Sequence, residues 1–401
     1  MARFQYAGRD IKGKKSGTIQ AGSKREALQL LREEGIRVIE LNEVAETLLT
    51  RDISIGNPVK LQHLVMYLRQ FATLLKAGVP VVDSTRILSE QTDSKALKKV
   101  LLDMVQELLE GNPLSSAASK HPKVFSSMFI NMVKAGEAGG NLEETLERLA
   151  IHFEKQHHTR QKISSALAYP LTVGLVAIGV VIFLLVKVVP TFVGMFQGFG
   201  ADLPAITLFV LNASEWMQSF WWLVILLLLG FIAAIIFLKN RKETSYFIDL
   251  FVLKIPIFGK MMQKAVLARM TRTMSSLFSS SVPILQAMTI VENVVENEVI
   301  ARVLRESREF LEKGQSISEP MSNHWAFPPM VTQMIAIGEK TGALDEMLDK
   351  VADFYEKEVD SSTDRLKSLI EPIMILVLAG LVGTIVLSIM IPMFDIFNQV
   401  Q

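Results

Sequence analysis

The sequence has no cysteine in 401 residues, which excludes disulfides, thiolate metal sites and a cysteine nucleophile. It has no surplus of either charge. Its 42 Lys and Arg stand against 41 Asp and Glu, so the basic excess of a nucleic-acid-binding protein is missing and no such partner is expected. Catalytic signatures are missing too. No HExxH and no GxSxG occurs, and the nearest approach to a P-loop, Gly338-Glu-Lys-Thr341, lacks both glycines at the required places. His152, His157 and His158 are not spaced by four residues, so they read as solvated helix histidines rather than metal ligands. Glu143, Glu144 and Glu147 complement the positive end of a helix and read as a solvated acidic face. No catalytic, cofactor or metal site is expected. Met1–Gln20 is polar, so no cleavable signal peptide is expected and insertion falls to the first apolar span.

What the chain does have is grease. Half the residues are hydrophobic and mean hydropathy is +0.32, although 21% are charged. The two properties are segregated. Leu171–Val189, Phe220–Leu238 and Ile373–Ile391 are 19-residue apolar runs, and Lys187 is their only charge. Each makes about 28 Å of helix, close to the hydrocarbon thickness of a bilayer. Segments 190–219 and 392–401 contain no Lys or Arg, whereas basic residues flank the other ends of all three runs. Lys and Arg accumulate on the cytoplasmic side, so the N-terminus is expected inside and the C-terminus outside, in a multi-pass membrane protein. Trp216, Trp221 and Trp222 fit an aromatic belt at the outer end of span two. Lys187, near the end of span one, reads either as a functional intramembrane charge or as a lysine snorkelling to the interface, the latter preferred.

The chain also repeats itself. Arg69–Pro80 aligns with Arg272–Pro283 at an offset of 203, as do Gly111-Asn-Pro-Leu114 with Gly314-Gln-Ser-Ile317 and His121 with His324. One residue is then lost. At an offset of 202, Gly136-Glu137 matches Gly338-Glu339, Gly140 matches Gly342, and Phe153-Glu-Lys155 matches Tyr355-Glu-Lys357. The following spans end at Pro190 and Pro392. The unit copied is a whole domain followed by a span, too long for a solenoid repeat. Two copies of the same orientation need one additional crossing, which the unduplicated span supplies.

Apolar residues at helical spacing, such as Leu61, Leu64, Val65, Leu68, Phe71, Ala72 and Leu75, run through both copies. The expected fold is mainly α: two duplicated cytoplasmic bundles of about six helices, three transmembrane helices and a small N-terminal α+β module. The module occupies 1–42, with strands Arg3–Tyr6, Gly17–Ala21 and Ile36–Leu41, a turn at Gly8–Lys15, and a helix Ser23–Glu34 capped by Ser23 and Glu26 and stopped by Gly35. Residues 43–58 read as a linker, 59–168 and 239–371 as the two cytoplasmic domains, 190–219 as an outer loop and 392–401 as an outer tail. Pro80 and Pro283 punctuate helix starts, and Gly140 and Gly342 mark tight turns. Arg69 and Arg272 lie on otherwise apolar helices, and Glu137 and Glu339 in the Gly-rich turns. They read as partner contacts or as an internal Arg–Glu bond tying each bundle, the bond preferred. Ala379 and Gly383 form a small-xxx-small face suited to helix packing.

Several of these motifs together resemble the inner-membrane platform proteins of type II secretion and type IV pilus machines. They are Leu74…Gly78-Val79-Pro80 and its copy Leu277…Val282-Pro283, and Gly136-Glu137-Ala-Gly-Gly-Asn-Leu142 and its copy Gly338-Glu339-Lys-Thr-Gly-Ala-Leu344. Tyr169-Pro170, Gly200-Ala-Asp-Leu203-Pro204-x-x-Thr207 and Lys254-Ile-Pro256-Ile-Phe258-Gly259 complete the set. The resemblance covers essentially the whole chain and implies a non-enzymatic scaffold. The partners it implies are a cytoplasmic assembly ATPase, pilin or pseudopilin subunits and other inner-membrane assembly proteins, in a homodimer or higher oligomer. One departure is Ser281 where the first copy has Gly78; a turn of the same kind would force Ser281 into the left-handed region. The rival readings are a polytopic transporter component, whose repeats would lie in the membrane with polar midspan sites, and a membrane signalling protein.

Overall fold

A computed structural model describes residues 2–10, 13–21, 24–33, 35–43, 57–197, 204–239 and 242–399. The chain divides into two units, Met1–Pro58 and Val59–Gln401. In the first, β1 (Ala2–Asp10) pairs antiparallel with both β2 (Gly13–Ala21) and β3 (Arg37–Glu43), giving the order β2-β1-β3. Helix α1 (Lys24–Glu33) packs Leu31 against Phe4, Tyr6 and Leu41. Phe4 and Tyr6 share a face because strand side chains alternate. Gly35, at φ 73°, stops α1 as expected. Most of the expected turn Gly8–Lys15 is strand instead. Gly8 lies at a register shift, where a Cβ would come within 2.7 Å of the Arg37 carbonyl. That glycine serves a β-bulge, and sequence alone does not separate a bulge glycine from a turn glycine. Ser23, Glu34 and linker residues 44–56 lie outside the described residues.

The second unit contains six helices per repeat. In the first they are α2 (Leu61–Lys76), α3 (Val81–Gln91), α4 (Lys95–Leu109), α5 (Leu114–Ser119), α6 (Ser127–Gly139) and α7 (Leu142–Phe183). After α7 come a π-helical turn (Leu184–Val188), α8 (Val189–Gln197), α9 (Ala205–Lys239) and α10 (Lys242–Lys254). The second repeat is α11 (Phe258–Ser279), α12 (Ile284–Val294), α13 (Glu298–Glu312), α14 (Ser318–Ser322), α15 (Pro329–Thr341) and α16 (Leu344–Gln399). Left-handed residues recur at equivalent turns: Gly111 with Gly314, and Gly140 with Gly342. Gly78 at φ 82° has its counterpart in Ser281 at φ 58°, so the second copy keeps the turn with a strained serine. The Val79 and Val282 amides close it on the Leu74 and Leu277 carbonyls, at 3.0 and 3.1 Å.

The two bundles do not have separate cores. Phe71, Phe125, Phe129 and Leu149 of the first repeat belong to one buried cluster with Met274, Leu277, Leu348 and Val351 of the second. The sequence reading of two bundles therefore gains a shared interior. Helix α16 is 56 residues long, about 84 Å at 1.5 Å per residue. It runs unbroken from that interior to the end of its apolar run. Helix α7 with its π turn and α8 does the same. Three helical segments are long and apolar enough to span a membrane: Leu142–Phe192, Ala205–Ala234 and Leu344–Phe394.

The expected outer loop 190–219 is largely helix. Helix α9 starts at Ala205, fifteen residues before the apolar run at Phe220, where a kink interrupts it (φ −120°, ψ 17°). Gly200–Leu203 lies outside the described residues.

Candidate functional site: the seam between the repeats

The seam is built from α7 and α16, the last helix of each bundle, together with α11. Arg272, on α11, is enclosed, with 8% of its side chain exposed. Its Nε donates to Glu356 Oε1 at 2.7 Å and its Nη2 to Glu356 Oε2 at 2.9 Å, while the guanidinium also bonds Asp349 and Asp353. Burial works against that charge, but Glu356 and Asp353 outweigh it and raise the guanidinium pKa further. Arg69 repeats the motif on α2, bidentate to Glu154, with 41% of its side chain exposed.

Each arginine thus bonds a glutamate, but the expected tie of Arg69 and Arg272 to Glu137 and Glu339 is not formed. Glu137 and Glu339 face elsewhere. Glu137 accepts from the Ser115 amide at 3.3 Å and the Ser115 hydroxyl at 2.5 Å. Glu339 accepts from the Ile317 amide at 3.1 Å and the Ser316 hydroxyl at 2.5 Å. Each carboxylate caps the N-terminus of a short helix, α5 or α14, whose own cap residue makes no side-chain bond. The sequence did carry a signal for the true partners: Glu154 and Glu356 stand in the repeated Phe153-Glu-Lys155 and Tyr355-Glu-Lys357.

Cross-repeat ion pairs continue along the two long helices. Lys155 Nζ on α7 lies 2.7 Å from Asp353 and 3.2 Å from Glu356 on α16; one heptad on, Lys162 lies 3.1 Å from Asp360 and 3.9 Å from Asp364. Burial raises the Asp353 carboxyl, but Lys155 and Arg272 overcome it and hold it below the usual range. Cations on α7 face anions on α16, so the helices are zipped where they leave the shared core.

Beside this cluster lies His152, which the spacing argument placed in solvent. It is buried, and its Nδ1 sits 3.3 Å from Ser276 Oγ on α11. The serine's single proton goes to the Arg272 carbonyl at 2.8 Å, so the imidazole holds its proton on Nδ1 and donates. Burial first, then Arg272, Arg269 and Lys155, push its pKa down to about 3. The unfolded chain binds a proton near pH 6.5, while the folded chain does not until about pH 3. Stability from this group is therefore complete above pH 6.5 and is lost as pH falls toward 3. By pH 5 the loss is about 2 kcal/mol. His152→Leu is expected to flatten the decline of the unfolding midpoint between pH 6.5 and 5. Parallel wild-type and variant profiles would refute the assignment.

Pro80 and Pro283 cap α3 and α12, their carbonyls accepting from Ser84 and Ala287 at 2.9 Å. Lys187 lies in the π turn with its side chain exposed, and no ion pair involving it occurs among the described residues. Ala379 is exposed, and a Cβ on Gly383 would meet nothing within 4 Å. The small-xxx-small face is thus not packed on any other span of this chain.

A second arrangement, missed from sequence, joins the spans. Pro392 has no N–H, so the Ser388 carbonyl one turn earlier has no helical partner. Thr207 Oγ1 on α9 donates to it at 2.7 Å. Pro190 creates the same vacancy, shifted by the π turn. There the Val189 amide bonds the Leu184 carbonyl, so the carbonyl left by Pro190 is that of Leu185. Ser214 Oγ donates to it at 2.5 Å. Thr207 and Ser214 are seven residues apart on one face of α9, and both are buried. Around them Leu185, Val189, Val210 and Ile385 form a small apolar cluster. Elsewhere the spans are bare: 11%, 0% and 11% of their most apolar windows are buried. Most of each span therefore faces lipid or other membrane helices.

The geometry is that of two long helices tied at both ends. The family model described as type II secretion system protein F matches residues 67–190 and again 270–392, and that of its N-terminal domain matches 1–42. A type IV pilus assembly protein PilC of Pseudomonas aeruginosa is 38% identical over 373 residues, covering 92% of this chain and 98% of its own. The PilC of Thermus thermophilus is 36% identical over the full length of both. A type II secretion system protein F of Vibrio cholerae is 32% identical over 99% of each.

Proposed function

The chain belongs to the type II secretion system protein F family, non-enzymatic membrane platform proteins of type IV pilus assembly and type II secretion, and from that premise we propose that it relays motion from a cytoplasmic assembly ATPase to pilin or pseudopilin subunits. The observation that carries this reading is the continuity of α7 and α16. Each starts in the shared core and passes into a span, so a displacement imposed on the bundles travels along a helix rather than through a loop. The ion pairs of Lys155 and Lys162 on α7 with α16 couple the two helices.

The charge distribution supports an orientation with both repeats in the cytoplasm and the 190–219 segment and C-terminal tail outside. Of the 42 Lys and Arg, only Lys187 falls outside the parts so assigned. The bare spans leave area for pilin helices, other inner-membrane assembly proteins and a second copy of the chain. Photo-crosslinkers placed across 59–168 and 258–371 in cells carrying the ATPase are expected to capture it. Contacts confined to 190–219 would sink the proposal. Reporter fusions near residues 205, 300 and 401 should read outside, inside, outside.

A further inference from the structure

Helix α10 follows α9 after two residues, and its two faces differ sharply. On one face Asp249 is buried and accepts from the Glu298 amide at 2.8 Å, Leu253 is buried, and the Tyr246 ring lies 5.2 Å beneath the Arg302 guanidinium. At its end, the turn to α11 is so close that a Cβ on Gly259 would sit 2.1 Å from the Leu253 carbonyl oxygen. These contacts fix the rotation of α10 about its own axis. The opposite face carries Phe247, Phe251 and Lys254, at helical spacing of four and three. Phe247 is 68% exposed and Phe251 71%. Ile257, held at φ 69° where an isoleucine is strained, is also exposed.

We propose that α10 is an interfacial helix whose Phe247–Phe251–Lys254 face inserts into the headgroup–acyl boundary of an anionic leaflet, at the point where α9 leaves the membrane. Three observations favour a lipid surface over a protein partner. Helix α9 ends at Lys239 and α10 begins at Lys242, so the bare face is tethered within a few residues of the bilayer. Lys239, Arg241, Lys242, Lys254 and Lys260 surround it in sequence, against Glu243 and the inward-facing Asp249. Basic residues beside bare aromatics are the combination that binds anionic interfaces. The face is also narrow, a single stripe rather than a groove with walls. Anchored there, α10 ties the second repeat to the membrane surface through Asp249 and Gly259.

The absence of cysteine allows a direct test on the full chain. Single-cysteine variants Phe251→Cys, Leu228→Cys in span two and Glu309→Cys on exposed α13 carry a nitroxide in vesicles of phosphatidylcholine and phosphatidylglycerol. The ratio of oxygen to nickel-chelate accessibility at position 251 is expected to be several-fold above that at 309 and below that at 228. A ratio at 251 equal to that at 309 would place the face in water and overturn the proposal. Exclusion of both relaxers at 251 would mean that another protein or a second copy covers the face, and would overturn it too. A water-accessible label at 228 would remove the span and the proposal with it. Phe251 is exposed, so its replacement does not touch the core.

Discussion

Replacing Arg272 by methionine is expected to cost the folded chain about 3 kcal/mol, while the same change at its repeat twin Arg69 costs about 1 kcal/mol or less. Methionine keeps most of the aliphatic stem, so the difference isolates the charge. Without Arg272, Asp349, Asp353 and Glu356 are left as three neighbouring anions, with Lys155 the one remaining cation of the cluster. The figure sits at the low end for a broken buried pair because Asp349 and Asp353 are 53% and 48% exposed and regain water. Arg69 and Glu154 are far wetter, so their pair contributes as surface pairs do. The measurement is the unfolding midpoint of the purified chain in detergent, with Arg272→Met combined with Glu356→Gln recovering part of the loss. Equal effects at the two arginines would show that the seam does not depend on this cluster.

The second large effect is expected in the membrane. Thr207→Val leaves the Ser388 carbonyl unpaired and Ser214→Ala leaves that of Leu185, each costing about 1–3 kcal/mol because the groups are buried. The decisive test is rescue. Pro392→Ala returns an N–H to the turn that includes Ser388, so it should restore the Thr207→Val chain, and Pro190→Ala should restore Ser214→Ala. The alanine variants are expected to change little on their own. Failure of rescue, read as resistance to SDS unfolding, would mean that the hydroxyls act by packing and not by closing the proline vacancies.

Much of this molecule is legible in one sequence. The 203-residue offset predicted two sets of six helices, and the second set reproduces even the left-handed turn at Ser281, where glycine is missing. Apolar length predicted the spans. The partners of Arg272 were less legible, because they lie 77 to 84 residues away on α16. The repeat marks Glu356 as constant but does not say what it touches. His152 was misread for a similar reason: periodicity describes one helix, while its burial comes from α11 laid across it by the other repeat. The Thr207–Val210–Ser214 stripe did carry a helical signal. It was hidden by polarity, since a segment below the hydropathy of a span reads as a loop until the prolines it serves are seen beside it.

The sequence by itself determined the architecture: a duplicated helical domain and three spans. Those properties follow from local periodicity, length and composition, which each segment carries alone. Only the tertiary structure decided that the repeats share one core, that the ionic zipper crosses between them and that hydroxyls of the unduplicated span fill vacancies left by prolines in the other two. These depend on which faces meet, and that is set by burial and hydrogen-bond satisfaction summed over the whole chain rather than by any window of it.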